Sequence, residues 1–226
     1  MNKKYKLKWK AKRKENNMNK KYELTDETKE IGGTTLHRIR ALMDISRYGV
    51  RAGDIGGWIE AESNLSQYGN AWVSDDARVY GNAKVCGNAW VSDDARVYGN
   101  AGVCDDAKVY GDARVYGDAK VYGEAWVYGD AWVYGNAKVY GYARVSGDAR
   151  VSGDGDVMWF KNTWSSGRWF TYTRSNKKWA VGCFYGTGEE LIKKAYADSE
   201  KSGKCYEAIV RAVETIETAQ GETKGE

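Results

Sequence analysis

From Trp58 to Asp156 the chain is an almost unbroken repeat of six residues, and this period restricts the fold more than any other feature. Ala recurs at 71, 77, 83 and every sixth position to Ala149, and Val follows two places later from Val73 to Val151. The unit reads Gly-Asn/Asp-Ala-x-Val-Tyr/Ser. A helix face repeats near 3.6 residues and a strand near 2, so a strict period of six means one small unit stacked on copies of itself. Residues 69–86 and 87–104 differ only at Lys84 against Gly102, so the full coil is three hexads. Three short strands per coil make a triangular prism. Within each Ala-x-Val strand, alternation sends Ala and Val inward and x outward. Gly with Asn or Asp supplies the corners. Gly57, Ile59, Ala61 and Leu65 continue the phase as a degenerate first coil, and Gly155 and Val157 close the last. About five and a half coils at roughly 4.8 Å each predict a rod about 26 Å long.

These hexads resemble the hexapeptide-repeat left-handed β-helix superfamily. The flanking segments KYELTDETKEIGGTTLHRIRAL (21–42) and VRAGDIGGWIEAESNLS (50–66) resemble prophage-encoded proteins of that superfamily, over residues 18–157 and more loosely beyond. The resemblance implies a left-handed parallel β-helix and a homotrimer. One departure stands out: superfamily enzymes usually carry a small or acidic residue after the buried aliphatic, where this chain has Tyr, Ser or Cys.

The fold expected is therefore mostly β. It comprises a basic, disordered tail (1–22), an N-terminal β-hairpin cap (23–56), the β-helix (57–156), a C-terminal α+β unit of three strands and two helices (157–219), and a tail (220–226). The hairpin is read over 28–42, with Gly32-Gly33 as its turn and Leu36, Ile39 and Ala41 as apolar positions. The three C-terminal strands are read at 157–162, 168–174 and 178–184. Thr187 and Glu190 form a capping-box pattern that opens a helix carrying Leu191, Ile192, Ala195 and Tyr196. A second helix, with Ile209, Val210, Val213 and Ile216 on one face, is read beyond Gly203. This unit is expected to cap the open end of the solenoid.

Composition narrows the function. The chain has 42% hydrophobic and 29% charged residues, as in a soluble globular protein. No apolar run nears the ~20 residues of a membrane span, and residues 1–17 lack the apolar centre of a signal peptide, so the cytoplasm of the host cell is expected. The four Cys, at 86, 104, 183 and 205, show no metal spacing and are read as reduced thiols. Cys86 and Cys104 stack one coil apart on the same outer edge, which is read as packing rather than a redox pair. Pro is absent, as suits a body in which ladders need every N–H.

The formal charge of +4 belongs to one tail. Lys3, Lys4, Lys6, Lys8, Lys10, Lys12, Arg13 and Lys14 stand against a single acid, Glu15, and without residues 1–17 the charge falls to −3. Any nucleic acid or other polyanion is expected at this tail alone, with Trp9 able to stack on it. The solenoid itself carries 15 acids and nine bases.

Stacking turns the outward positions into columns. The first face carries Trp72, Trp90, Lys108, Trp126 and Arg144; the second carries Arg78, Arg96, Arg114, Trp132 and Arg150; the third carries Lys84, Gly102, Lys120 and Lys138. Beside the Arg column runs a Tyr column, Tyr80, Tyr98, Tyr116 and Tyr134. Two residues before each Arg stands an Asp (76, 94, 112, 130, 148), read as its ion-pair partner and as a corner residue rather than a metal ligand. Exposed Trp and Tyr beside Arg mark contact surface. Trp72, Trp90, Trp126, Trp132, Arg78, Arg96, Arg114 and the four Tyr are thus the candidate partner-binding residues. Their outward position implies that changing Trp72, Trp90 and Trp126 leaves the fold intact. A self-association face, or cover by the aromatic C-terminal unit, is the competing reading of the Trp column.

Catalysis finds little support. Hexapeptide acyltransferases need a catalytic His in a groove between subunits, and their zinc relatives need several. This chain has one, His37, outside the coils. No cofactor and no metal are expected, and Gly186-Thr187-Gly188 lacks the Lys and spacing of a phosphate loop. The reading is a non-enzymatic phage or prophage protein that occludes a host protein or nucleoprotein complex, such as a CRISPR nuclease of antiviral defence. Two other readings are a trimer that sequesters a nucleotide signal, with Trp for the base and Arg for the phosphate, and an inert structural or virion part.

Overall fold

The computed structural model describes residues 20–222. The hexads form a β-solenoid of about five turns. Each Ala-x-Val contributes a two-residue strand, and these strands stack in register, Val73 on Val91 and Val79 on Val97, into three parallel sheets. Every Ala from 71 to 149 and every Val from 73 to 151 at the repeat positions is at most 1% exposed. The six-residue period becomes a narrow apolar core lined by small Ala and medium Val. Each buried Val contributes roughly 1.5–3 kcal/mol relative to exposure.

At the corners the backbone enters the left-handed region. Gly111 and Gly129 have φ of +71° and +67°, and a Cβ on Gly111 would lie 3.0 Å from the Gly129 nitrogen. Asp75, Asp93 and Asp105 take the same conformation, with φ of 56–58°, because Asp is among the few residues that tolerate it.

The ladder has a direction. Each coil donates its N–H groups to the carbonyls of the next, as in Trp72 N to Ala89 O and Ser74 N to Val91 O. The N-terminal end therefore presents carbonyls and the C-terminal end presents N–H groups. At the first end the caps are donors. The Lys21 ammonium reaches Ala71 O at 2.7 Å, Tyr22 Oη reaches Leu65 O at 2.7 Å, and Asn64 Nδ2 reaches Gly81 O and Ala83 O, each at 2.9 Å. At the other end the caps are acceptors: Asp154 Oδ1 takes Lys138 N, Thr171 Oγ1 takes Arg144 N, and Ser175 Oγ takes Arg150 N. Edges that would otherwise invite pairing are closed by side chains.

The N-terminal unit is a hairpin, Tyr22–Ile31 with Thr34–Ala41, turning at Gly32 and Gly33 with positive φ. Its second strand pairs with Ile55–Ile59, which lies parallel on Arg78–Val79, so the hairpin extends the second face's sheet to eight strands. Leu36, Ile39 and Ala41 are buried as expected. The first strand begins six residues earlier than read at 28, because a register shift between Leu24 and Thr28 interrupts its alternation. The expected tail of 1–22 is too long. Lys21 and Tyr22 are buried at 1% and 0% exposure, since they cap the first coil. The basic residues Lys3 to Lys14 lie outside the described residues.

The C-terminal unit has four antiparallel strands, not three: Val157–Lys161, Trp169–Thr173, Lys178–Val181 and Phe184–Gly186. The run read as 178–184 is broken by a two-residue turn at Gly182, φ +59°, which pairs Val181 with Phe184. The first helix, Gly188–Asp198, opens on the Thr187/Glu190 capping box. The second is Glu200–Glu222, so Gly203 lies inside it and the expected tail from 220 is partly helical. Gly is needed there because the Tyr196 ring occupies the space a Cβ would fill. Phe170, Trp179, Leu191, Tyr206 and Val210 form the core of this unit. It sits on the last coil through Tyr142 stacked on Trp169 at 4.4 Å and Trp159 edge-on to Tyr140 at 5.4 Å.

Cys86 and Cys104 form a disulfide, with Cα atoms 4.6 Å apart. This corrects their reading as reduced, merely packed thiols. One coil spacing falls within the Cα separation a disulfide spans, so stacking alone places the two sulfurs in reach. Cys183 and Cys205 are free. Among the described residues, no helix is long and apolar enough to cross a membrane.

Candidate functional site

The columns of outward residues exist as read, but the two ends of the molecule cover part of them. On the first face Trp72 is 1% exposed, with Tyr22 edge-on to it at 6.5 Å. Trp72 is therefore a core residue, not a partner contact. The sequence places it outward correctly, but not the hairpin that folds across it. Trp90 is half-buried under Tyr48, whose ring is edge-on at 4.3 Å, and its Nε1 donates to Ser74 Oγ at 3.0 Å. Trp126 lies between the Lys108 ammonium at 4.9 Å and the Arg144 guanidinium at 4.6 Å. Arg144 is in turn tied to Gly182 O of the C-terminal unit at 2.6 Å. Only the middle of this face is open, as a slot of about 260 Å³ among Trp90, Ser92, Lys108, Tyr110 and Trp126. Lys108 and Tyr110 join this site although their importance was not read; the signal was the single Lys interrupting a Trp column.

The second face carries the longest outward column, buried at Trp58 and half-buried from Arg78 to Arg150. Its outward column runs Trp58, Arg78, Arg96, Arg114, Trp132, Arg150. Both Trp residues are bracketed by cations. Arg38 and Lys29 lie 4.6 and 5.4 Å from Trp58, and Arg114 and Arg150 lie 4.7 and 4.2 Å from Trp132. Beside them Tyr80, Tyr98, Tyr116 and Tyr134 form one continuous stack. Centroids are 5.1, 5.0 and 5.3 Å apart and neighbouring rings lie within 8° of parallel. Shorter stacks at the other corners, Tyr110 on Tyr128 and Tyr122 on Tyr140, arise from the same spacing.

The expected Asp–Arg pairs do not form as direct contacts, although Arg78 and Arg150 still help to lower the pKa of Asp76 and Asp148. Among the described residues, no ion pair joins Arg78, Arg96, Arg114 or Arg150 to the Asp two residues before it. Residues i and i+2 share a side of the chain, but the corner falls between them. Asp76 instead accepts from Trp58 Nε1 at 3.1 Å and lies 3.5 Å from Arg38, and Asp148 accepts from Asn176 at 3.0 Å. The Trp58 hydrogen bond is the main reason the Asp76 carboxyl sits below its ordinary pKa. Arg78, Arg96 and Arg114 are half-buried, with their charge left for the surface. Desolvation raises the pKa of Tyr80, Tyr98 and Tyr116, against a smaller opposing pull from the arginines. These phenols stay neutral donors at physiological pH.

The remaining chemistry is sparse. His37 is in the hairpin with Nδ1 3.4 Å from Thr25 O. Among the described residues, no cluster of three or more His, Cys, Asp or Glu side chains is placed to hold a metal ion.

Residues 107–123 and 143–155 match the YdcK beta solenoid repeat. No curated protein matches the chain. The matched segments fall within the stacked coils, so repeat and geometry agree: the chain is a β-helix repeat protein.

Proposed function

We propose that this is a non-enzymatic binding protein of phage or prophage origin that occludes a host macromolecule through its second face. The proposal includes assembly as a homotrimer in the host cytoplasm and action against an antiviral defence complex such as a CRISPR nuclease. The observation that carries it is the strip of Arg78, Arg96 and Arg114 beside the stacked Tyr80, Tyr98, Tyr116 and Tyr134. Among the described residues its guanidiniums form no direct ion pair, and its rings form one parallel stack. Arg and Tyr are enriched at interface hot spots, and rigid side chains lose little freedom on binding. Free guanidiniums suit bidentate contact with carboxylate or phosphate groups. The flat ladder suits a broad macromolecular surface better than a small metabolite.

The test is an affinity pulldown from host lysate, with and without nuclease treatment, using the parent chain and the double variant Arg96→Glu with Arg114→Glu. A partner retained by the parent, lost by the variant and indifferent to nuclease supports a protein target. Equal capture by both chains removes the second face from the reading.

A further inference from the structure

The repeat is broken at one place by three small residues together. On the third face, Gly102 stands in the outward column where its neighbours one coil below and above are Lys84 and Lys120. In the adjoining corner column, Cys86 and Cys104 stand below Tyr122 and Tyr140, each donating its N–H to the Val of the next coil. The omitted side chains leave a groove of about 690 Å³, with the Cys86–Cys104 disulfide among its lining. That volume is within the range of small-molecule sites. A Cβ added to Gly102 would meet nothing within 4 Å.

The groove has a stacking surface and a charge. Tyr140 covers one face of Tyr122 at 5.3 Å and 8°. Tyr122 also lines the groove, one coil above Cys104 in the same corner column. Lys84 and Lys120 are exposed, and among the described residues neither forms an ion pair. Asp105 is the sole acidic residue of the lining, and its Oδ2 accepts from Gly123 N.

We infer that this groove binds a nucleoside phosphate, the base extending the Tyr140–Tyr122 stack over the disulfide and the phosphate held between Lys84 and Lys120. A flat ring completes the interrupted aromatic column, and an anion balances two ammonium groups that, among the described residues, form no ion pair. Every base has a π face, so stacking of this kind accepts purines and pyrimidines alike. The site lies on a different face from the proposed macromolecular surface and stands or falls separately from it.

Calorimetric titration of the full chain with AMP, GMP and UMP tests this, with adenosine and inorganic phosphate as separate arms. All three nucleotides should saturate the site, each at least roughly tenfold tighter than inorganic phosphate, which lacks the stacking base, and tighter than adenosine, which lacks the charge that Lys84 and Lys120 would hold. Gly102→Trp should fill the groove and abolish binding. Trp already occupies the same outward position at 126 and 132, so the coil accepts it. Tyr122→Ser provides a second variant that removes the stacking face should the first fold poorly, and Lys201→Glu, at an exposed position of the second C-terminal helix, should leave binding unchanged. Failure of all three nucleotides to saturate at millimolar concentration would overturn the assignment. So would phosphate alone binding as well as they do, or undiminished binding in a folded Gly102→Trp or Tyr122→Ser chain.

Discussion

Arg150 lies over the ring of Trp132, one coil away in the same outward column, with 4.2 Å between guanidinium carbon and indole centroid. Arg114 occupies the preceding coil at 4.7 Å, so one indole separates two like charges. Each such contact is worth about 0.5–1 kcal/mol at an exposed site. Trp132→Ser should therefore lower unfolding stability by about 1–2 kcal/mol in urea titrations, with the β signal in circular dichroism intact. No measurable shift would mean that the indole is a spacer only.

Trp72 and Trp126 hold the same repeat position but different surroundings, so one substitution should have two outcomes. Trp72→Ser empties a site sealed by Tyr22 and should cost about 3 kcal/mol or more. Trp126→Ser removes contacts with Lys108, Arg144 and the edge-on Tyr110 ring and should cost about 1–2 kcal/mol. Equal urea midpoints for the two variants would show that the hairpin does not close over the first coil.

The corners predict a second contrast. Gly111→Val places a branched side chain at φ +71° beside Gly129. It should destabilise by at least about 1–2 kcal/mol, the usual penalty of the left-handed region. Asp93→Gly, at a corner with φ +57°, relieves that penalty but loses the hydrogen bond its carboxylate accepts from Gly111 N, so thermal melting should show a change smaller than that of Gly111→Val, within about 1 kcal/mol of the parent.

Lys21 gives the stability a pH dependence of known sign. Burial lowers its ammonium pKa from 10.5 to about 8. Between these values the unfolded chain holds a proton that the folded chain has released, so stability rises with pH through this window. Burial raises the Tyr22 pKa, which has the opposite effect once unfolded tyrosines ionise near pH 10. The melting temperature should thus climb from about pH 8 to pH 10, and Lys21→Met should flatten that climb. Parallel profiles for parent and variant would place the amine in water.

The solenoid was legible because its information is local and repeated: six residues specify core, corner and surface, and every copy says the same. What was not legible depends on segments far apart in sequence. Nothing around Trp72 announces that Tyr22 covers it, and nothing around Gly203 announces that Tyr196 packs against its bare Cα. The Arg–Asp pairing failed for a related reason, since sequence spacing gives the side of a strand but not the bend of a corner. The second-face Tyr and Arg columns were read correctly as columns. That Arg114 and Arg150 turn to Trp132 rather than to aspartates emerges only in the folded chain.

The donors that close one end of the rod and the acceptors that close the other also set its length. Stripped of Lys21, Tyr22 and Asn64 at one end and of Asp154, Thr171 and Ser175 at the other, two rods would present a carbonyl edge to an N–H edge. Such a head-to-tail joint repeats without closing, and an interface of that kind grows into a filament. The same polarity that makes the ladder cohesive thus makes it an incipient fibre, and six side chains at its termini keep it a finite particle.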